Sequence, residues 1–463
     1  MQLTIRNRTV LRFAGKIIFT GVAAAMLSGC LNEQRLEQSR LDDFARFGRS
    51  IDVSGFDAAV GAYLESNGNS EGAVYVFRRH AGAWSISARL ESPSPGDEQF
   101  GDSVAMDGAM LAVGAPLDHQ PGAFRSGSVY VFRRTGPAWN HIQTLSSPAP
   151  QQAWEAFGTA VALDGDHLIV GAPDRDQGGI VDAGAAFVYH WNGAAFVLTD
   201  ALAVPAPGQS DKFGARVEVE EDTAAVSALR RDTRAGEDAG AVYVYHQEPA
   251  GFSLSQTLTA SDGSEDDLFG SGIALFEQND GARRLVVGAE GKSVGGADSA
   301  GAAYVFDAPP AGVFSETVKL LASDGAAGDI FGTDVEVEGN IIIVGAGGED
   351  NLEIDAGAAY AYILSGGIWN EEAKLTNSTA DMQSFLGSAV GLGLGHAFAG
   401  ATGEEIGPLL SDTGTVQVFA RPAQGPWEFH QALSAAGTET GDSYGRGLVI
   451  DADRIIASAR TRT

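Results

Sequence analysis

The chain has one cysteine, Cys30, in 463 residues, and half as many basic residues as acidic ones, 30 Lys and Arg against 60 Asp and Glu. A single cysteine excludes an intrachain disulfide and any cysteine-based zinc cluster. The shortage of positive charge, a net −30, argues against nucleic acid or an anionic membrane surface as a partner, because every phosphate would meet a like-charged field. Beyond the first thirty residues no uncharged apolar run approaches the ~20 residues a membrane span needs. HExxH is also missing, and carboxylates are so abundant that any two falling close together says little. No catalytic set is expected, so the chain is read as a non-enzyme. What is present is glycine, 61 residues of it, in a chain that is 44% hydrophobic. That is too apolar for disorder and too often interrupted for a helical protein.

Residues 1 to 29 carry Arg6, Arg8, Arg12 and Lys16 with no acid, then the apolar run from Ile17 to Leu27 and the small pair Ser28 and Gly29. This is the pattern of an export signal. The stretch Leu27-Ser-Gly-Cys30 resembles a bacterial lipobox, which implies cleavage before Cys30 and lipidation of its thiol. Leu31, in place of the aspartate used for inner-membrane retention, points to the outer membrane of a Gram-negative bacterium. Residues 30 to 42 read as a lipidated tether and 43 to 463 as the folded part.

An aromatic residue or Leu followed by Gly recurs at Phe47, Phe100, Phe157, Phe213, Phe269, Phe331, Leu386 and Tyr444, at spacings of 53 to 62 residues. A Gly-Ala-like step follows each of these glycines 13 residues later, delayed to 18 only at Gly288 by an insertion around Glu277 to Arg284. Further on come GAVYVF, GSVYVF, GAAFVY and their relatives, from Gly72 to Gly414, each leading to another aromatic such as Trp84, Trp139 or Phe252. Each feature is a short β-branched or aromatic run bounded by Gly, Asp or Pro, so each unit reads as four antiparallel strands. Asp107-Gly108 and Asp164-Gly165 suggest type I′ turns between the first two strands. A lone four-stranded unit cannot cover both its faces, and radial stacking solves that. The expected fold is all-β, a β-propeller of four-stranded antiparallel blades from eight repeat units. The eighth, Tyr444 to Thr463, is incomplete, which leaves seven or eight blades; its apolar strands favour eight.

The run of FG, GAP (Gly114-Ala115-Pro116 and Gly171-Ala172-Pro173), GAAYVF and Trp resembles the FG-GAP repeat family, which includes the N-terminal propeller of integrin α chains and bacterial surface proteins. The resemblance covers residues 43 to 463. It implies a binding or adhesion module at the cell envelope, with a protein or glycan at the cell surface or in the periplasm as partner and membrane attachment through the N-terminal lipid only. A hydrolase with its pocket at the propeller mouth and a non-binding envelope scaffold are the alternatives.

Antiparallel order places the loops from strand four to the next strand one, and from strand two to strand three, on one face. An acid precedes the recurrent aromatic by two positions at Glu98, Glu155, Asp211, Asp267, Asp329 and Asp442, a candidate ligand-facing acidic rim, with turn capping as the competing role. Arg78, Arg133, Arg134 and Arg421 mark the opposite face, so a polarised molecule is expected. No cofactor is indicated with certainty. The calcium-binding DxDxDG loops common in the resembled family are absent, the equivalent hairpins being short ones such as MDGAM and VEGNI. Weak metal candidates remain in the longer loops: Asp174, Asp176 and Asp182, and Glu349, Asp350 and Asp355.

Overall fold

The computed structural model describes most of residues 47–433 and the strands Leu448–Asp451 and Arg454–Ala457, with gaps of which the longest are 63–71, 377–383 and 402–414. In the stretch read as an export signal it describes only the two-residue pair Arg12–Phe13 and Lys16–Ile17. Cys30, Glu98 and Asp442 lie outside the described residues. No helix among the described residues is long and apolar enough to cross a membrane.

Seven four-stranded antiparallel sheets follow one another along the chain, each with its strands in sequence order. Blade 1 runs from Phe47–Ser54 to Ala83–Leu90, blade 2 from Ser103–Asp107 to Ala138–Ser146 and blade 3 from Ala160–Asp164 to Phe196–Leu202. Blade 4 runs from Phe213–Glu220 to Gly251–Leu258, blade 5 from Phe269–Glu277 to Ser315–Leu320, blade 6 from Val335–Glu338 to Ile368–Leu375 and blade 7 from Leu386–Gly393 to Glu428–Leu433. The first strand of each blade touches the first strand of the next, so these strands are innermost and surround an axis. Leu448–Asp451 pairs with Arg454–Ala457 and touches the first strands of both blade 7 and blade 1. The fold is a β-propeller, with seven full blades and a two-stranded eighth unit placed between the last and the first.

The third-strand motif explains how the blades stack. Side chains alternate across a strand, so in Val242-Tyr243-Val244-Tyr245 the valines face blade 5, packing with Phe269, Leu285 and Tyr304. The tyrosines face the other way, toward Phe213 and toward Ile169 and Val188 of blade 3. Phe100, Phe213 and Phe331 are buried and meet an aromatic of their own blade edge to face: Phe100 and Tyr130 lie 5.5 Å apart, Phe213 and Tyr243 5.4 Å, Phe331 and Tyr360 5.4 Å. Burial of one such ring contributes about 1.5–3 kcal/mol.

The glycine opening that motif is required by its neighbour. Gly127 lies at φ +85° and forms a parallel bridge with Phe157 of the next blade. A Cβ there would stand 2.2 Å from the Phe157 carbonyl oxygen, a distance no substitution tolerates without moving a strand. The same bridge joins Gly72 to Phe100, Gly184 to Phe213, Gly240 to Phe269, Gly301 to Phe331 and Gly357 to Leu386. The tight turns differ from expectation. Only the first turn residue, Gly108 or Gly165, has positive φ, whereas a type I′ turn needs both.

Candidate functional site: the loop face and the axial channel

The four recurrent acids among the described residues do not form an exposed rim. Glu155, Asp211, Asp267 and Asp329 are all buried. Each accepts the backbone N–H three residues before it, at Gln152, Gly208, Ser264 and Ala326, which satisfies the turn that delivers the chain to the aromatic. Three also pair with a base four residues after the Gly-Ala step. Arg175 donates to Glu155, Arg231 to Asp211 at 2.5 Å and Lys292 to Asp267 at 2.9 Å. In blade 6 that position holds Glu349, and Lys374 bridges Glu349 and Asp324 at 2.6 Å each. Burial therefore raises the Asp329 carboxyl above its usual range, with Lys374 opposing the shift. A buried carboxylate is tolerated when paired and hydrogen-bonded, and the rim reading of these four gives way to that structural role. The bases spaced at a constant offset were the signal that could have shown it.

The weak metal candidates are also engaged. Lys212 Nζ lies 2.7 Å from Asp174 Oδ1 and 2.8 Å from Asp182 Oδ2, so an ammonium holds the position a cation would need. Asp176 accepts the Asp182 N–H at 2.9 Å, and Asp350 accepts the Asp355 N–H at 2.8 Å. No group of three or more metal-ligating side chains is found among the described residues.

The exposed charge of this face comes from other acids. Asp232, Glu237, Glu265, Asp266, Asp298 and Asp350 are exposed in blades 4 to 6, and among the described residues none of them forms an ion pair. At four blade boundaries among the described residues one backbone hydrogen bond sets the course of this loop. Asp266 N donates to the Glu237 carbonyl and Gly328 N to the Asp298 carbonyl, both at 2.9 Å. Between blades 3 and 4 the same 2.9 Å bond joins Ser210 to Val181, and between blades 2 and 3 it joins Trp154 to Phe124. An open cleft of about 490 Å³ lies beside the blade 4 loop, lined by Pro205, Arg231, Arg234, Tyr243 and Thr257. On the opposite face, Arg78 and Arg134 both reach Asp57, at 3.5 and 2.5 Å, and Arg421 reaches Glu372 at 2.7 Å, which offsets much of the expected positive charge there.

A second acidic set lines the axis and was not recognised in the sequence. Its innermost-strand carboxylates accept backbone N–H groups from the next blade: Asp52 from Met106 at 2.6 Å, Asp107 from Gly165 at 3.1 Å, Asp164 from Glu221 at 2.8 Å, Glu220 from Glu277 at 3.1 Å and Asp334 from Val390 at 2.9 Å. An innermost strand has a free edge, and these oxygens satisfy part of it. Deeper in the channel, burial and then the neighbouring Glu336, Asp52, Asp334 and Glu220 push Glu218 up to about 8. Burial is the main cause at Glu336, about 7, and at Asp334 and Glu220, each about 6, with Arg216 restraining Asp334. Glu218 keeps some accessible surface. The legible signal is an acid seven residues after the aromatic, at Asp107, Asp164 and Glu220.

The repeat geometry finds its counterpart among known proteins. The family model described as FG-GAP repeat matches residues 32–77, 93–132, 139–189, 207–245, 252–306 and 314–362, more than half of the chain. The chain belongs to the FG-GAP repeat family. Solved structures similar to this FG-GAP protein include Sqt1 from Chaetomium thermophilum, 11% identical over 90% of this chain and 95% of that one, TM-score 0.54. The Pseudomonas aeruginosa periplasmic gluconolactonase PpgL is 13% identical over 87% of this chain and 99% of that one, TM-score 0.49. Such identities speak to fold alone. No curated protein matches the chain.

Proposed function

We propose that this FG-GAP propeller is an envelope-anchored binding module that recognises a protein partner with a basic surface through its loop face. The observation carrying this reading is the contrast between two kinds of acid. Glu155, Asp211 and Asp267 are buried against bases, while Glu237, Glu265, Asp266, Asp298 and Asp350 stay exposed. Buried pairs hold the fold; exposed acids without counter-ions project a negative field that draws in cations and basic surfaces. Glu155, Asp211 and Asp267 are neutralised by Arg175, Arg231 and Lys292, which favours a structural role for them over chemistry.

The test uses a lysine dodecapeptide as probe. Its association rate should fall steeply with added salt and drop when Glu237, Glu265, Asp266 and Asp298 are changed together to Gln or Asn. An unchanged rate and salt slope in that variant would remove the reading. Export and lipidation at Cys30 belong to the same proposal, supported by Leu27-Ser-Gly-Cys30. Cys30→Ser should move the protein from the membrane to the soluble fraction on cell fractionation.

A further inference from the structure

The loop face carries one sector that departs from the repeat. Phe124 and Trp154 are 49% and 52% exposed and meet edge to face at 5.3 Å. His119 packs on Phe124 at 4.3 Å, and the Arg125 guanidinium lies 5.0 Å from the Trp154 ring and 5.5 Å from that of Phe124. At the next boundary the Phe124 position is Val181, itself 50% exposed, and then come Glu237 and Asp298. The Trp154 position becomes Ser210, Asp266 and Gly328. The backbone bond is 2.9 Å at all four boundaries, so the aromatic pair is not needed to build the loop. It also has a cost. Trp154 takes φ +66°, a left-handed conformation that Gly adopts freely and a bulky side chain does not.

We infer that Phe124, Trp154 and Arg125 form the anchor of the loop face, taking an apolar side chain of a protein segment whose flanking lysines or arginines lie over the acids of blades 4 to 6. The inference rests on the proposed function and names the chemistry of the partner. Charge complementarity chooses the occupant. The apolar sector continues through Val181 into the boundary carrying Glu237 and Asp266, so a ligand spanning both must be apolar at one point and basic beside it. An exposed Trp packed on a half-buried Arg is the composition of an interface hot spot. A neutral glycan would use the rings and leave the adjacent acids unused.

The experiment compares three probes on the full chain: a lysine dodecapeptide, the same peptide with Phe-Leu-Phe at its centre, and chitohexaose. The mixed peptide should bind about tenfold more tightly than the all-lysine one. The double variant Phe124→Val, Trp154→Ser, which copies the next boundary, should erase that preference and leave all-lysine binding and the melting temperature unchanged. Trp154→Ser alone, at a place where the fold already accepts Ser, should lose most of the preference. Equal binding of the two peptides, a preference that survives both variants, or tighter binding of chitohexaose would each overturn the inference. Binding of the mixed peptide that depends on Trp154, without any salt-dependent binding of the lysine peptide, would leave the anchor standing and remove the acidic-face reading.

Discussion

The blade 2/3 and blade 4/5 boundaries share one backbone and present opposite surfaces. Trp154 bonds to Phe124 through the same main-chain atoms, at the same 2.9 Å, by which Asp266 bonds to Glu237. One boundary is aromatic and the other acidic. The loop course is therefore set by the buried layer beneath, where Glu155 and Asp267 cap equivalent turns and pair with Arg175 and Lys292. The outward positions carry no load in folding and are free to differ, so differences among them report on what the face meets.

The largest expected effect separates two neighbours in sequence. Asp267→Ala strands the buried Lys292 ammonium and should cost about 3–5 kcal/mol in urea unfolding. Asp266→Ala, one residue away and exposed, should change stability by less than about 0.5 kcal/mol. Equal losses would mean that the outer layer also bears the fold.

A smaller effect comes from the channel, which lies beneath both sectors. Carboxyls raised in the folded state bind protons that the unfolded chain, titrating near 4, has released. Stability is then fully present below the unfolded value and is lost progressively from there until pH has passed the folded values, which lie at about 6 for Asp334 and Glu220, about 7 for Glu336 and about 8 for Glu218. The melting temperature should decline by a few degrees from pH 5 to pH 8.5. Glu218→Gln should flatten the upper part of that decline, and an unchanged curve would show that Glu218 is already ionised at neutral pH.

Exchanging the sectors should have an effect on binding and almost none on folding. Glu237→Val with Asp266→Ser should slow association of the lysine dodecapeptide, and Val181→Glu with Ser210→Asp should speed it, both with unfolding free energies within about 0.5 kcal/mol of the parent. The smallest expected effect concerns metal. Because Lys212 already bridges Asp174 and Asp182, EDTA should leave the melting temperature where it was; a drop would show a tightly bound ion whose binding stabilises the native state.

The blades were legible because their determinants are local and repeated: the Phe-Gly pair, the Gly-Ala step and the alternation in Val242-Tyr243-Val244-Tyr245 each specify a strand or a contact. The Gly127 requirement was visible as recurrence, while its cause, the Phe157 carbonyl of the next blade, needed the packed ring. Sequence leaves the acids between ligand rim and turn cap for a related reason. Glu155 and Trp154 are adjacent, and sequence alone does not say which of two neighbours in a turn points inward. Arg175 settles it from twenty residues away. The channel set was overlooked because its partners are backbone N–H groups of a different blade, which leave no mark on residue identity. Phe124 and Trp154 are visible only as exceptions to a repeat, and an exception has meaning once the equivalent positions are known to share a conformation.

The channel hydrogen bonds all run in one sense, from a carboxylate of one blade to an amide of the blade that follows. Blades 1, 2, 3, 4 and 6 thus each present an acceptor toward the blade that follows, as subunits do in a head-to-tail assembly. Contacts of that kind close into a ring only when the rotation per unit divides the circle, and otherwise continue as a helix. Duplicating one of these blades would repeat the same match and still fail to close at the same radius. The number of blades is consequently a property of the angle between them, and the short unit at Leu448–Asp451 and Arg454–Ala457 occupies the remaining arc.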